Sequence, residues 1–175
     1  SMKKLLAAMF AALLMVGCGE EAQWEANPEP YGGLKILAEI KEAKESGSTE
    51  LILWTGVNQI SDLSPLKGLT KLKLLKLDDN QISDLSPLKG LTDLKSLSLI
   101  NNKITDLSPL KGLTNLKELW LSDNEISDLS PLKGLTDLRV LVLTKNKISD
   151  LSPLKGLMNL KWLWLRDNQI TDDQK

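Results

Sequence analysis

The stretch "DLSPLKGLT" stands at Asp62–Thr70 and returns at Asp84–Thr92, Asp106–Thr114 and Asp128–Thr136. A fifth copy, "DLSPLKGLM", runs from Asp150 to Met158, and each copy begins 22 residues after the last. A fixed period of about 20–50 residues signals stacked units, none of which buries its apolar side alone. Asparagine keeps the same step at Asn58, Asn80, Asn102, Asn124, Asn146 and Asn168. Aligned on it, the unit reads LxxLxLxxNxIxDLSPLKGLTx.

Each letter has a physical task. The LxL alternation sends Leu75 and Leu77 to one face of a short strand. Leu97/Leu99, Leu119/Leu121, Leu141/Leu143 and Leu163/Leu165 repeat that pair. Strands of successive units then lie about 4.8 Å apart in a parallel sheet. The Asn side chain satisfies backbone groups in the turn that follows, one rung per unit. Ile82 and its equivalents return to the core. In "SPLKGL", Ser86 is expected to cap a short helical turn, with Pro87 at its first position and Gly90 at its exit. Leu85, Leu88, Leu91 and Leu94 form the apolar side of the opposite wall.

This pattern resembles the leucine-rich repeat, whose signature is LxxLxLxxN. With its 22-residue period and "DLSPLKGLTxL" connector it is similar to the internalin-type class of bacterial surface proteins. The resemblance covers residues 51–175, six units within a repeat block of residues 48–175. It implies an α/β solenoid: an arc with a parallel sheet on its concave face and short 3-10 or helical turns on its convex face. The near identity of the copies fits recent duplication and consensus-like construction equally.

The solenoid ends need covers. "GGLKILAEIKEAKESG" (Gly32–Gly47) carries Leu34, Leu37, Ala38 and Ile40 at helical spacing, which predicts an amphipathic cap helix over residues 32–47. Thr55 stands where the first unit should have Leu, and terminal units are commonly atypical. The last unit stops at "NQITDDQK", so its core edge is expected to lie open or to be covered by self-pairing or a partner.

Ahead of the cap, Lys3 and Lys4 precede an uncharged apolar run from Leu5 to Val16. Its twelve residues are fewer than the roughly 20 that span a bilayer, and they fit a secretory signal over residues 1–17. The alternative is a buried apolar helix with an incidental cysteine. "MVGC" resembles the lipobox of bacterial lipoproteins, although Met15 stands where that family prefers Leu. The resemblance implies a diacylated Cys18 and an exported, lipid-anchored protein. Gly19 rather than Asp after the cysteine implies the outer membrane or cell surface. Ser1 before Met2 reads as a cloning remnant. Residues 18–31, acidic and proline-bearing, are expected to be a tether.

Composition narrows the chemistry. The formal net charge is −1, which gives no general bias toward nucleic acid. Histidine is absent and cysteine occurs once, so the commonest general base, the commonest metal ligand and an internal disulfide are all missing. No nucleophile–base constellation is evident, no cofactor or metal is expected, and the reading is non-enzymatic.

Function should sit where the repeats differ. In this repeat class the side chains between the strand leucines face the concave surface. Six and four positions before the Asn stand Trp54, Leu74, Lys76, Glu118, Trp120, Val140, Val142, Trp162 and Trp164; Ile100 and Arg166 stand two before it. Four of the chain's five tryptophans fall in this set. An apolar surface rimmed by charge points to a protein partner. Cross-strand stiffening of the sheet is the plainer alternative. Indole stacking with Glu118, Asp123 and Asp167 would suit a glycan instead, and an open C-terminal edge would suit a self-associating envelope spacer. The Asp row (Asp62, Asp84, Asp106, Asp128, Asp150, Asp172) invites calcium, and the Lys row (Lys67, Lys89, Lys111, Lys133, Lys155) anionic lipid or glycan. Turn bonding and a solvated face explain both rows more simply.

Overall fold

In the computed structural model, which describes residues 19–54 and 59–174, the 22-residue period becomes a six-stranded parallel sheet in sequence order. The strands are β1 (Glu50–Ile52), β2 (Leu74–Lys76), β3 (Ser96–Ser98), β4 (Glu118–Trp120), β5 (Val140–Val142) and β6 (Trp162–Trp164). Their register never slips: Leu51, Leu75, Leu97, Leu119, Leu141 and Leu163 form one row across the sheet. Opposite the sheet, 3-10 turns at Ser64–Leu66, Ser86–Leu88, Ser108–Leu110, Ser130–Leu132 and Ser152–Leu154 stack in their own column. Leucine and isoleucine from each unit fill the space between, and most are wholly buried.

The asparagine row holds the turns together. Asn124 is buried; its Oδ1 accepts the amide of Ile104 in the preceding unit at 3.0 Å. Its Nδ2 donates to the carbonyls of Leu99 and Leu121, one in each unit. Asn80, Asn102, Asn146 and Asn168 likewise accept from Ile60, Ile82, Ile126 and Ile148. Asn58 and Cys18 lie outside the described residues.

Three local expectations change. First, Ser86 does not cap its turn. Asp84, two residues earlier, accepts both the Ser86 amide (2.8 Å) and the Ser86 hydroxyl (2.6 Å). An ionised carboxylate is the stronger acceptor, and its reach of two residues lets one oxygen take both bonds. Second, Gly90 is not left-handed; among the "LKG" glycines only Gly68 takes positive φ (88°). The left-handed position of each unit is the residue before the Asn: Asp79, Asn101, Asp123, Lys145 and Asp167, with φ between 53° and 58°. Asp and Asn tolerate this conformation because their short polar side chains bond locally.

Third, the described part of the expected tether, from Gly19 onward, carries structure. Glu20–Ala26 forms helix α1, with Glu20 and Glu21 favourably placed in its first turn and good helix formers after them. Trp24 sets its ring 6.0 Å from that of Tyr31, and Glu21 pairs with Lys44 at 3.1 Å. The next helix, α2 (Leu34–Ser46), covers the first unit and ends at left-handed Gly47. Its buried stripe is Ile36, Leu37, Ile40 and Ala43; Leu34 and Ala38 face outward, so the apolar face is rotated from the expected one.

The Asp–Ser bonds make stability depend on pH. Hydrogen bonds from Ser86, Ser108 and Ser130 hold the carboxyls of Asp84, Asp106 and Asp128 below their ordinary value; the Ser152 amide leads the same effect on Asp150. A lowered folded pKa means the unfolded chain binds protons first. The stabilisation is therefore complete well above about pH 4 and is lost as pH falls through the folded values. The melting temperature should fall as pH drops below about 4, and joint Asp→Asn replacement at these positions should flatten that fall. An unchanged pH slope in the Asn variant would refute the assignment.

Candidate functional site

Strand alternation decides what the concave face shows. With each central leucine turned inward, the residues on either side of it turn out. The fixed register then lines them up in two columns. One runs Leu74, Ser96, Glu118, Val140, Trp162; the other runs Lys76, Ser98, Trp120, Val142, Trp164.

The second column lines a groove on the concave face. Val142 pairs with Trp120 on one side and Trp164 on the other. It is only 4% exposed although it lies on the open face. Small between two indoles, it keeps to the concave side but is covered by its neighbours. Trp120 is half-buried, while Trp164 is 56% exposed. Together with Ile100 they border an open groove of about 690 Å3. Its remaining edge carries the Ser122 and Thr144 positions and the charges of Asp123, Lys145 and Arg166. Lys145 meets Asp123 at 3.3 Å, and Arg166 turns toward Asp167 at 3.4 Å.

Asp123 was expected only as a glycan contact, and Ser122, Thr144 and Lys145 stand outside the expected set of protein-binding residues. Their signal in the sequence is that they occupy the variable positions two and one before the Asn. The other named residues are not in this groove. Glu118, Val140 and Trp162 form the parallel column, where Glu118 accepts the Ser96 hydroxyl at 3.1 Å. Leu74 and Lys76 lie on β2, and Trp54, 74% exposed, follows β1 at the far end of the sheet. The four outward indoles therefore form one C-terminal cluster of three and one remote member. At the N-terminal side of the groove the surface turns polar: Ser98, buried, donates to Asp78, which also accepts the Ile100 amide at 2.9 Å.

Among the described residues no group of three or more acidic, His or Cys side chains is placed to hold a metal ion, and no helix is long and apolar enough to cross a membrane. Asp62, Asp84, Asp106, Asp128 and Asp150 are engaged in their own Ser turns.

The model for leucine-rich repeats in two copies matches residues 49–90, 70–112, 92–134 and 114–156, most of the chain. The chain belongs to the leucine-rich-repeat family. Among solved structures it is similar to internalin C2 of Listeria monocytogenes (44% identity, TM-score 0.58, 65% of this chain and 60% of that one). A second internalin of the same bacterium matches at 35% identity and TM-score 0.59, over 79% of this chain and 46% of its own. A leucine-rich-repeat protein of Leptospira interrogans matches at 31% identity and TM-score 0.69, over 81% of this chain and 36% of its own. The chain thus spans less than two thirds of each of these relatives. No curated protein sequence matches it. Leucine-rich-repeat domains of this kind generally mediate protein–protein interaction.

Lys145 is the odd member of the left-handed row, since a long side chain gains no local bond there. Its exposed pair with Asp123 offsets little of that cost. Lys145→Asn should raise stability by about 0.5 kcal/mol, read as a higher urea midpoint at unchanged slope; a lower midpoint would show that the ion pair outweighs the backbone strain.

Proposed function

We propose that the protein is a non-enzymatic binding module that captures a protein partner on its concave face. The observation that carries this reading is the groove in which Trp120 and Trp164 flank a buried Val142. Large indoles on rigid strands present apolar area at little conformational cost, and tryptophan is enriched among residues that dominate interface energy. Paired strands hold the walls, so little ordering is required when a partner side chain enters. Ser122 and Thr144 offer hydroxyls beside the apolar floor, while Asp123, Lys145 and Arg166 supply both signs of charge at the rim. Mixed rim charge suits a protein surface better than a uniformly anionic ligand.

The leader and lipobox complete the proposal. The protein is exported, and a lipid on Cys18 anchors it to the bacterial envelope, at the outer membrane or cell surface. Docking of α1 beside the cap keeps the solenoid close to that anchor, because only Gly19 separates Cys18 from the helix.

The test is affinity capture from envelope extract and medium of the source bacterium, using the chain from Gly19 onward. A matched bait carries Trp120→Ala, Trp162→Ala and Trp164→Ala, with circular dichroism confirming its fold. A protein retained by the first bait should be lost from the second, with affinity reduced at least about 30-fold, as expected for removing more than about 2 kcal/mol of hot-spot contact. Equal capture by both baits, or release by free sugars, would contradict a Trp-borne protein interface; the latter would point to glycan.

A further inference from the structure

Charge divides across each coil. Five return legs lead from a 3-10 turn to the following strand: residues 67–73, 89–95, 111–117, 133–139 and 155–161. They carry eleven basic residues and two acidic ones. The five outgoing legs, residues 53–63, 77–85, 99–107, 121–129 and 143–151, carry nine acidic residues and three basic ones. The net charge of −1 therefore conceals a basic flank and an acidic flank. Six steps of extended chain, from Lys73 to Asp79, set the two about 20 Å apart. That exceeds the screening length of about 8 Å at physiological salt, so the basic flank presents its own field. Stacking turns its residues into rows. The Lys95 amide donates to the Lys73 carbonyl at 2.8 Å, and Lys117, Arg139 and Lys161 continue the ladder. A second row, from Lys67 to Lys155, follows the 3-10 column and is exposed throughout. Among the described residues none of these eleven cations is ion-paired, whereas Asp123 and Glu125 on the other flank pair with Lys145 and Lys147.

We propose that the return flank docks the solenoid edge-on against an anionic lipid bilayer. A merely solvated surface intersperses both signs of charge, and this one does not. A negatively charged bilayer attracts clustered lysines, and each added lysine strengthens the contact. Ten of the eleven cations are Lys, compact charges on flexible stems, which suit laterally mobile headgroups better than phosphates in fixed geometry. The return legs hold no aromatic residue, so they offer nothing on which nucleic-acid bases would stack. Met158 adds an apolar element. It stands where the other four copies have Thr, and it is 86% exposed. Thr92, Thr114 and Thr136 are exposed within inner units, so the exposure belongs to the repeat position and not to the last unit. Met158 enters the headgroup boundary while Lys155 and Lys161 beside it keep their charges at the surface. Each strand runs from a return leg to an outgoing one, so contact along the return flank leaves the concave groove open. The docking requires neither the concave protein interface nor a lipid on Cys18.

Every core residue described lies in the chain from Gly19 onward, which also contains no cysteine, so this chain, without lipid, is the sample. Phosphatidylglycerol vesicles should carry it in flotation at low salt and release it at molar salt, and phosphatidylcholine vesicles should carry none. Joint Lys89→Gln, Lys111→Gln and Lys133→Gln should lower partitioning about 100-fold. Joint Lys35→Gln, Lys103→Gln and Lys147→Gln, off the flank but equal in net charge, should lower it less than about threefold. Circular dichroism confirms the fold of both. Met158→Cys carrying an environment-sensitive fluorophore should shift to the blue on phosphatidylglycerol vesicles, and Ser83→Cys on the acidic flank should not. The triple Trp→Ala bait should bind these vesicles undiminished, which separates this docking from protein capture. No recovery with phosphatidylglycerol vesicles would overturn the proposal. So would equal loss in the two Lys→Gln sets, a blue shift at Ser83→Cys in place of Met158→Cys, loss in the Trp→Ala bait, or tighter binding to a DNA duplex than to the vesicles.

Discussion

The buried asparagine amide is the interaction on which the solenoid depends. A chain that turns every few residues exposes backbone groups that cannot all be paired within one turn. Each Asn resolves this between units: its oxygen takes the amide of the previous isoleucine, and its nitrogen reaches carbonyls of its own and the preceding unit. No buried side-chain nitrogen or oxygen among the described residues lacks a partner. Leucine packing supplies the favourable area, but it is non-directional. The amide ladder fixes the register that turns this packing into a stack of equal units.

That register sets what the concave face can do. Because residues at the same repeat position align across the sheet without slippage, single substitutions become columns. Trp120, Val142 and Trp164 touch the same groove only because β4, β5 and β6 are in step. The scaffold thus leaves the outward strand positions free to vary while holding each to a fixed place. Rigidity of this kind favours binding, since the surface is formed before a partner arrives.

Much of this was legible in the sequence, for a physical reason. The strand leucines, the isoleucine and the Asn act through local alternation and turn geometry, which repeat with the letters. The parallel sheet, the 3-10 column and the rung of Asn80, Asn102 and Asn124 could therefore be read directly. What could not be read depended on choices between chemically similar groups or on contacts across the chain. Asp84 rather than Ser86 caps the turn because both can accept, and only geometry decides. Helix α1 was obscured by its acidic, proline-flanked composition, although Lys44, more than twenty residues away, supplies its ion pair. Val142 was placed on the correct face, but its burial follows from two neighbours 22 residues away on either side. The cap helix was recognised by its spacing, yet its inward stripe is set by how it meets the first unit, not by the spacing itself.

The central claim is that the Asn ladder couples the units rather than merely decorating each turn. Native-state hydrogen exchange on the chain from Gly19 onward, with and without Asn124→Ala, tests it most directly. The change strands the buried Ile104 amide and leaves the Leu99 carbonyl only its bond from Asn102, a loss of about 2 kcal/mol. The account predicts that this loss is shared: the amides of Ile82, Ile104 and Ile126 should fall in protection together, on both sides of the altered rung. A loss confined to Ile104, with Ile82 and Ile126 unchanged, would contradict it and leave leucine packing as the agent that joins one unit to the next.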